Sequence, residues 1–200
     1  MKKFNSIELL DQLQSDVRQM ILRVNQLKSA DPGVLLEQPA PGKWSVVEIL
    51  EHLNSYNLFY NPALEKSLEA DKPAVALFKS GWIGNYFTNM MKPTETGKVK
   101  NKMKAPRGHR PSRLLDAQPV INSFLTYQHQ LLDLLEAAKQ KDIGSLRTPI
   151  SLTKLIKLKT GDVFRFLIAH EQRHFVQLEN ALLAIREIRP GKYPTALPVM

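Results

Sequence analysis

Four long stretches of the sequence place apolar residues three and four positions apart, the spacing of one face of an α-helix. They run from about Ser6 to Lys28, from Ser45 to beyond a candidate kink at Pro62, from about Pro119 to Lys139, and from about Asp162 to Ile188. No alternating strand pattern of comparable strength appears. We therefore predict an all-α fold, an up-and-down four-helix bundle in which each helix buries its apolar stripe.

Local sequence signals refine this arrangement. Ser45 and Glu48 have the spacing of a capping box at the start of the second helix. The connection from Asp71 to Gln118, between helices 2 and 3, is long and partly irregular, and its aromatic run from Trp82 to Phe87 predicts a short extra helix or a lid. Residues 150–159 alternate only weakly, so no strand is predicted there with comparable support.

Two histidines lie on the apolar face of the predicted last helix. His170 and His174 are one helical turn apart in the segment His-Glu-Gln-Arg-His, so both imidazoles can reach one cation. A lone histidine on such a face is usually a hydrogen-bonded core residue. Two unsatisfied buried imidazoles would together cost on the order of 2 to 6 kcal/mol, whereas a shared metal ion would satisfy both.

A third histidine, His52, lies on the apolar face of the predicted second helix. It is roughly 10 Å into that helix, and His170 and His174 are roughly 12 to 18 Å into the last one. Helices 2 and 4 of an up-and-down bundle are parallel, so the three imidazoles can sit at one level. The connections 30–44 and 141–161 should border this level, whereas the long connection must fold back along the bundle to cover it.

The composition limits the available chemistry. The chain has no cysteine, which excludes disulfides, thiolate metal ligands and a protein thiol nucleophile. No signal-peptide-like run and no stretch of about 18 apolar residues occurs, so we expect a cytoplasmic protein without membrane contact. No Pro-, Gly- or Ser-rich linker divides residues 1–200, and a single domain is expected. The oligomeric state is left open, a dimer included.

The net charge of +9 is concentrated between Lys92 and Arg113, which we call the basic segment. Eight lysines and arginines there oppose one acid, Glu95. The segment has no helical stripe and no aromatic residues interleaved for base stacking, which disfavours nucleic-acid binding. The simplest interpretation is a solvated loop, and the alternative is contact with an anionic substrate. His109, within the segment, is interpreted as a surface residue, and the alternative is contact with an anion.

Other residues near these positions have ordinary interpretations. Trp44, just before the cap, is expected to pack against the helix start. Tyr56 and Tyr60, one and two turns after His52, are expected in the core. His129 borders the apolar face of the third helix and is expected to pack there with a hydrogen bond.

The pattern Trp44-Ser45 followed by Glu51-His52-Leu53, with His170-Glu171-Gln172-Arg173-His174 on the last helix, resembles the DinB-like (DinB/YfiT) superfamily of metal-binding four-helix bundles. The resemblance covers most of the chain, and one early histidine with a late pair is its most specific element. In that family the three histidines bind a divalent metal, which implies the same for His52, His170 and His174. The family includes thiol-dependent transferases and isomerases and proteins described as metal-dependent hydrolases. The basic segment does not map onto the family pattern.

The segment His170 to His174 also satisfies the His-Glu-x-x-His pattern of zinc proteases. Those enzymes generally take the third ligand from downstream, where 26 residues remain, with Glu179 and Glu187 as carboxylates. His52 is the better third ligand. The shared pattern makes Glu171 a candidate general base, and the alternative is a solvated carboxylate or one that orients a ligand.

Three neutral imidazoles would leave a divalent ion its full charge and at least one open position, as in catalytic zinc sites. Zinc is the default metal for imidazole ligands, and nickel, iron or manganese would also fit. The prediction is a metal-dependent enzyme acting on a small molecule, either a hydrolase or a low-molecular-weight-thiol S-transferase with a thiol cosubstrate. Two other classes remain open: a non-catalytic metal- or ligand-binding bundle, and nucleic-acid interaction through the basic segment.

Overall fold

The four amphipathic stretches are helices in the computed structural model, which describes residues 2–94, 96–99, 103–112 and 114–188, with the backbone alone for residues 153–155. The helices in chain order are α1 (Ser6–Leu27), α2 (Pro32–Leu36), α3 (Val46–Leu68), α4 (Trp82–Met91), α5 (Ala117–Ala138) and α6 (Thr160–Ile188). Of these, α1, α3, α5 and α6 are the four long helices. The all-α class is confirmed.

The core lies between the four long helices. α3 packs against α5 and α6, and α1 packs against the same two helices. Their facing side chains are buried, for example Val17, Leu53, Phe124 and Leu167. Burial of one such side chain contributes about 1.5 to 3 kcal/mol, so this shared apolar core is the main source of stability. The up-and-down direction of the helices stays a prediction.

Capping explains where α3 begins. Oγ of Ser45 accepts a hydrogen bond from the backbone N–H of Glu48 at 3.1 Å, and the Glu48 carboxylate accepts one from the N–H of Ser45 at 2.8 Å. These reciprocal bonds are the predicted capping box, and they satisfy two donors that a helix start leaves free. α3 continues through Pro62 to Leu68, so the proline does not end the helix.

Two small antiparallel sheets accompany the helices. β1 (Lys3–Asn5) pairs with β2 (Leu77–Lys79), and β3 (Arg147–Ile150) pairs with β4 (Thr153–Lys159). The second pair falls where the sequence alternates only weakly. A two-stranded ribbon buries few apolar side chains, among the described ones Ile150 and Leu158, so its apolar pattern is short.

The long connection between α3 and α5 is only partly irregular. Its aromatic run begins the predicted extra helix, α4, which packs along α6. A 3-10 turn from Arg107 to His109 contacts α3, so this part of the connection returns to that helix. Four charged members of the basic segment lie outside the described residues: Glu95, Lys100, Lys102 and Arg113. In the described ranges, no helix combines the length and apolar character needed to cross a membrane.

Candidate metal centre

α3 and α6 bring the three predicted histidines into one buried cluster. Nε2 of His170 lies 3.4 Å from Nε2 of His52 and 3.1 Å from Nε2 of His174. None of the three residues exposes more than 7% of its surface. The helical-face argument therefore placed these side chains correctly, and we call this group the histidine cluster.

The spacing of the nitrogens fits a shared metal ion. Two nitrogen ligands about 2.05 Å from a tetrahedral zinc ion lie about 3.3 Å from each other. The two measured separations, 3.1 and 3.4 Å, fall on either side of that value. The histidine cluster could therefore hold a divalent ion, and nitrogen ligands alone do not determine which metal it is.

Burial keeps the three imidazoles neutral. Desolvation lowers the pKa of His52 to about 4 and that of His174 to about 3. Desolvation also holds the pKa of His170 well below its ordinary value, and repulsion from His174 and His52 adds to this effect. Neutral imidazole is the form that binds a metal ion, so these ligands need not lose a proton at pH 7.

His52 is oriented by the basic segment. Its Nδ1 donates a hydrogen bond of 2.6 Å to the backbone carbonyl of His109. A proton held on Nδ1 leaves the lone pair on Nε2, which faces the other two imidazoles. A carbonyl that accepts from the second nitrogen of a histidine is the usual support of a histidine metal ligand.

The interpretation of His109 as a surface residue is wrong. Its ring stacks on the ring of Tyr56 with centroids 3.9 Å apart. Oγ of Ser55 donates to the His52 carbonyl at 2.6 Å and lies 2.9 Å from Nδ1 of His109. No local signal in the sequence could have shown these contacts, because they depend on how a long connection folds back.

Aromatic rings line the histidine cluster. The Trp44 ring lies 4.9 Å from the His52 ring, and the Tyr56 ring lies 4.3 Å from the His170 ring. Phe166 stacks on His170 at 6.1 Å. Trp44 therefore contacts the candidate site as well as preceding the helix cap. Burial raises the pKa of Tyr56 to about 12, so its hydroxyl stays protonated.

Tyr60 and His129 are both expected to pack in or beside the core, and only Tyr60 does so. Tyr60 is buried as expected, and its hydroxyl accepts a hydrogen bond of 3.1 Å from the N–H of Ser151. His129 is exposed on α5, so its expected packing is wrong. A residue at the border of an apolar stripe faces solvent after a small rotation of the helix.

Glu171 follows His170 directly and therefore points about 100° away around α6. Its side chain is fully buried, which excludes the solvated alternative. Its Oε1 accepts hydrogen bonds from the side-chain amides of Asn57 at 2.8 Å and Gln128 at 2.7 Å. Burial raises the pKa of Glu171 to about 7, although both amide donors oppose the shift. Its role as a general base stays a prediction.

The downstream carboxylates considered for a zinc-protease site lie elsewhere. Glu179 accepts two hydrogen bonds from Arg23 of α1, at 2.5 and 2.6 Å. Glu187 is exposed near the end of α6. Neither belongs to the group of ligand atoms that lie within 4.8 Å of one another, which consists of the three histidines.

Comparison with known proteins agrees with this geometry. The model of the DinB superfamily matches residues 15–178, a range that contains all three histidines. No curated protein and no solved structure matches the chain at a significant level. The family match covers most of the sequence, and this chain belongs to the DinB superfamily.

Proposed function

We propose that this protein is a metal-dependent enzyme in which His52, His170 and His174 bind one divalent ion through their Nε2 atoms. The observation that supports this function is the convergence of three buried, neutral nitrogens at spacings that suit one ion. The carbonyl of His109 supports the proposal further, because it holds the His52 proton on the nitrogen that faces away.

A divalent ion in a three-nitrogen site would lower the pKa of water or of a thiol in its remaining position, supplying a nucleophile for hydrolysis or for thiol transfer. The chain itself provides the surroundings. The rings of Trp44, Tyr56 and Phe166 exclude water from the imidazoles and offer flat apolar surfaces to a substrate. The protonated hydroxyl of Tyr56 can donate a hydrogen bond.

Glu171 is our proposed general base. A pKa of about 7 allows the carboxyl group to accept and release a proton near neutral pH. The alternative role is to hold α3 and α5 against α6 through Asn57 and Gln128. In the variant Glu171→Gln, a base role predicts a lower kcat with an altered pH profile, whereas a packing role predicts an unchanged profile.

The deep burial of the histidine cluster favours a second candidate function. Imidazoles that expose no more than 7% of their surface leave little room for a substrate to approach without movement of the chain. A bundle that binds a metal or another ligand without turnover would have the same ligands. The two candidates differ in whether the metal-loaded protein turns over any substrate.

Metal analysis tests the site itself. Titration of the metal-free protein with zinc, nickel, iron(II) and manganese should reach one ion per chain for the preferred metal. His174→Ala should abolish stoichiometric binding, whereas the matched control His129→Ala, on an exposed residue, should retain it. A variant with alanine at all three positions that still binds one ion per chain would show that the site lies elsewhere.

An activity screen tests the reaction class. The metal-loaded protein is incubated with esters, amides, and low-molecular-weight thiols together with electrophiles, and His174→Ala serves as the blank. Thiol-dependent turnover that disappears in the blank supports the transferase type, and thiol-independent turnover supports the hydrolase type. A bound metal without turnover of any of these compounds supports the second candidate.

A further inference from the structure

One residue of the basic segment, His109, contacts α3 beside the histidine cluster. The His109 carbonyl accepts from Nδ1 of His52 at 2.6 Å, and the His109 ring stacks on Tyr56. Nδ1 of His109 and Oγ of Ser55 are 2.9 Å apart. Three contacts made by one residue fix the turn from Arg107 to His109 against the candidate site. This part of the basic segment is therefore not a loop in free solvent.

Two arginines, Arg107 and Arg110, lie on either side of His109 in the sequence. Arg107 and Arg110 are exposed, and the N–H of Arg110, the residue that caps the 3-10 turn, donates to the carbonyl of Arg107 at 3.4 Å. Residues joined in this way lie on the same side of the turn, so the two guanidinium groups can reach one ligand. Nε of Arg110 donates to the carbonyl of Ala105 at 3.2 Å, which restricts the side chain and leaves its terminal nitrogens to serve as further donors.

Among the described residues, neither arginine forms a salt bridge with a carboxylate. The sequence contains no acidic residue between Thr96 and Leu115. On α3, Glu48 bonds to Ser45 and Gln38, and Glu51 accepts from Asn54 at 3.3 Å. In the described part of the chain, these two carboxylates therefore bond to other groups and not to Arg107 or Arg110.

We propose that the substrate of this site carries an oxyanion, a carboxylate or a phosphate group, and that Arg107 and Arg110 bind it. The inference rests on the proposed function, since the neighbouring histidine cluster is what would act on the substrate. Guanidinium groups bind carboxylate and phosphate through paired, charge-assisted hydrogen bonds. In this arrangement the arginines determine specificity, and His109, which lies between them, positions His52.

Phosphate and succinate are suitable probes, because they carry the two forms of the oxyanion. Each is titrated into the protein loaded with its preferred metal, and binding is measured by calorimetry. Loss of the charge-assisted bonds in the double variant Arg107→Gln and Arg110→Gln should weaken binding of at least one probe about tenfold. The matched control, Arg18→Gln with Arg186→Gln, removes the same charge from exposed positions on α1 and α6 and should change binding less than twofold.

Comparison of the two double variants shows whether anion binding depends on the position of Arg107 and Arg110 or only on the net charge of the protein. Equal losses in the two double variants would overturn the proposal, because they would show a general effect of net charge. Failure of the unaltered protein to bind either probe at 10 mM, about the weakest binding that a specific subsite would show, would overturn it as well. Metal content should stay at one ion per chain in both variants, since the described hydrogen bonds of the histidine cluster involve neither pair of arginines.

The same titrations on metal-free protein distinguish the two proposals. Arginine-dependent anion binding in a chain that binds no metal would contradict the proposed function and retain the anion site. Metal binding with anion affinity that ignores Arg107 and Arg110 would overturn the anion site alone. Tight binding of single-stranded DNA at physiological salt, lost in the same double variant, would replace the small anionic substrate by a nucleic acid.

Discussion

α6 contributes to two buried polar clusters that differ in how completely their hydrogen bonds are formed. In the first, which we call the Asp162 cluster, the carboxylate accepts from Ser80 at 2.6 Å, from the N–H of Gly81 at 2.7 Å and from Arg165 at 3.1 Å. Arg165 also donates to Asn85 at 3.1 Å. Each charged group is thus paired and hydrogen-bonded within the protein.

The histidine cluster is built differently. Its Nε2 atoms face one another, and among the described residues no group forms a hydrogen bond with Nδ1 of His170. A saturated network fixes structure, and here it holds α4 on α6. A buried network with unused nitrogens costs free energy unless a ligand completes it. The unused nitrogen supports our proposal that the histidine cluster, and not the Asp162 cluster, binds a ligand.

A glycine shows how tightly the Asp162 cluster is packed. A Cβ atom at Gly84 of α4 would lie 2.4 Å from the side chain of Asp162, far inside contact distance. α4 can approach the start of α6 so closely only because position 84 has no side chain. The close approach and the complete hydrogen bonding both indicate that the Asp162 cluster holds α4 against α6.

Acid should destabilise the metal-free protein, and this is the largest effect that we expect from the comparison. His52 and His174 have pKa values of about 4 and 3 in the folded protein. Below pH 6.5 these imidazoles become protonated in the unfolded chain but stay neutral in the folded chain. The free energy of unfolding that they contribute above pH 6.5 is therefore lost as the pH falls. Between pH 7.5 and 5 this costs about 2 kcal/mol for each of the two, and His170 adds to it.

Urea unfolding of the metal-free protein at pH 7.5 and pH 5 measures this loss. The control His129→Gln changes an exposed histidine and should leave the difference between the two pH values unaltered. Equal free energies of unfolding at both pH values in the unaltered chain would contradict the neutral, buried state of the histidine cluster.

Removal of the central carboxylate should break the Asp162 cluster without affecting the other. Asp162→Ala leaves Arg165 buried and without its charged partner, which should cost about 3 kcal/mol of unfolding free energy. The control Asp133→Ala, on an exposed residue of α5, should cost less than about 0.5 kcal/mol. Urea unfolding and metal analysis are measured on both variants. If Asp162→Ala lost the metal ion but kept its stability, the Asp162 cluster would not have the structural role that we assign to it.

Chelation should act on the histidine cluster alone. Metal present at a hundred times its dissociation constant stabilises the folded state by about 2.7 kcal/mol, so chelation should lower Tm by about 5 to 11 °C. Helix content at 25 °C should persist because the apolar core does not depend on the ion. Circular dichroism measures both quantities. Collapse of the helices on chelation would identify the site as structural rather than catalytic.

The sequence predicts the parts of this comparison that depend on local pattern. The apolar stripes locate α1, α3, α5 and α6, and the Ser45 capping box fixes the start of α3. His170 and His174 share a face because they are four residues apart. His52 joins them because its helix packs on α6.

The missed contacts depend on long-range structure. The His109 carbonyl reaches His52 across 57 residues of sequence, and Ser80 reaches Asp162 across 82. His109 and Ser80 both lie in the long connection, and no periodic sequence pattern predicts the path of that connection. A backbone carbonyl, in addition, is the same at every residue, so its role as a hydrogen-bond acceptor leaves no mark in the sequence.

Glu171 has the smallest expected effect, and its surroundings are intermediate between the two clusters. Its Oε1 accepts from two amides, whereas its Oε2 has no hydrogen-bond partner among the described residues. Because its folded pKa of about 7 lies above the unfolded value, this group contributes stability below about pH 4.5 that is lost as the pH rises through 7. Acidification from pH 7.5 to 5 therefore stabilises the fold by about 2 kcal/mol through this carboxyl, against the loss from the histidines.

Replacing this carboxyl by an amide of the same shape should make the acid loss steeper. In Glu171→Gln the metal-free protein should lose about 2 kcal/mol more between pH 7.5 and 5 than the unaltered chain, because the opposing contribution is gone. Glu187→Gln, on an exposed carboxylate of the same helix, is the matched control and should follow the unaltered chain. Coinciding urea profiles for all three proteins would mean that the Glu171 carboxyl does not hold its proton near pH 7. That result would also remove the electrostatic argument for its role as a general base.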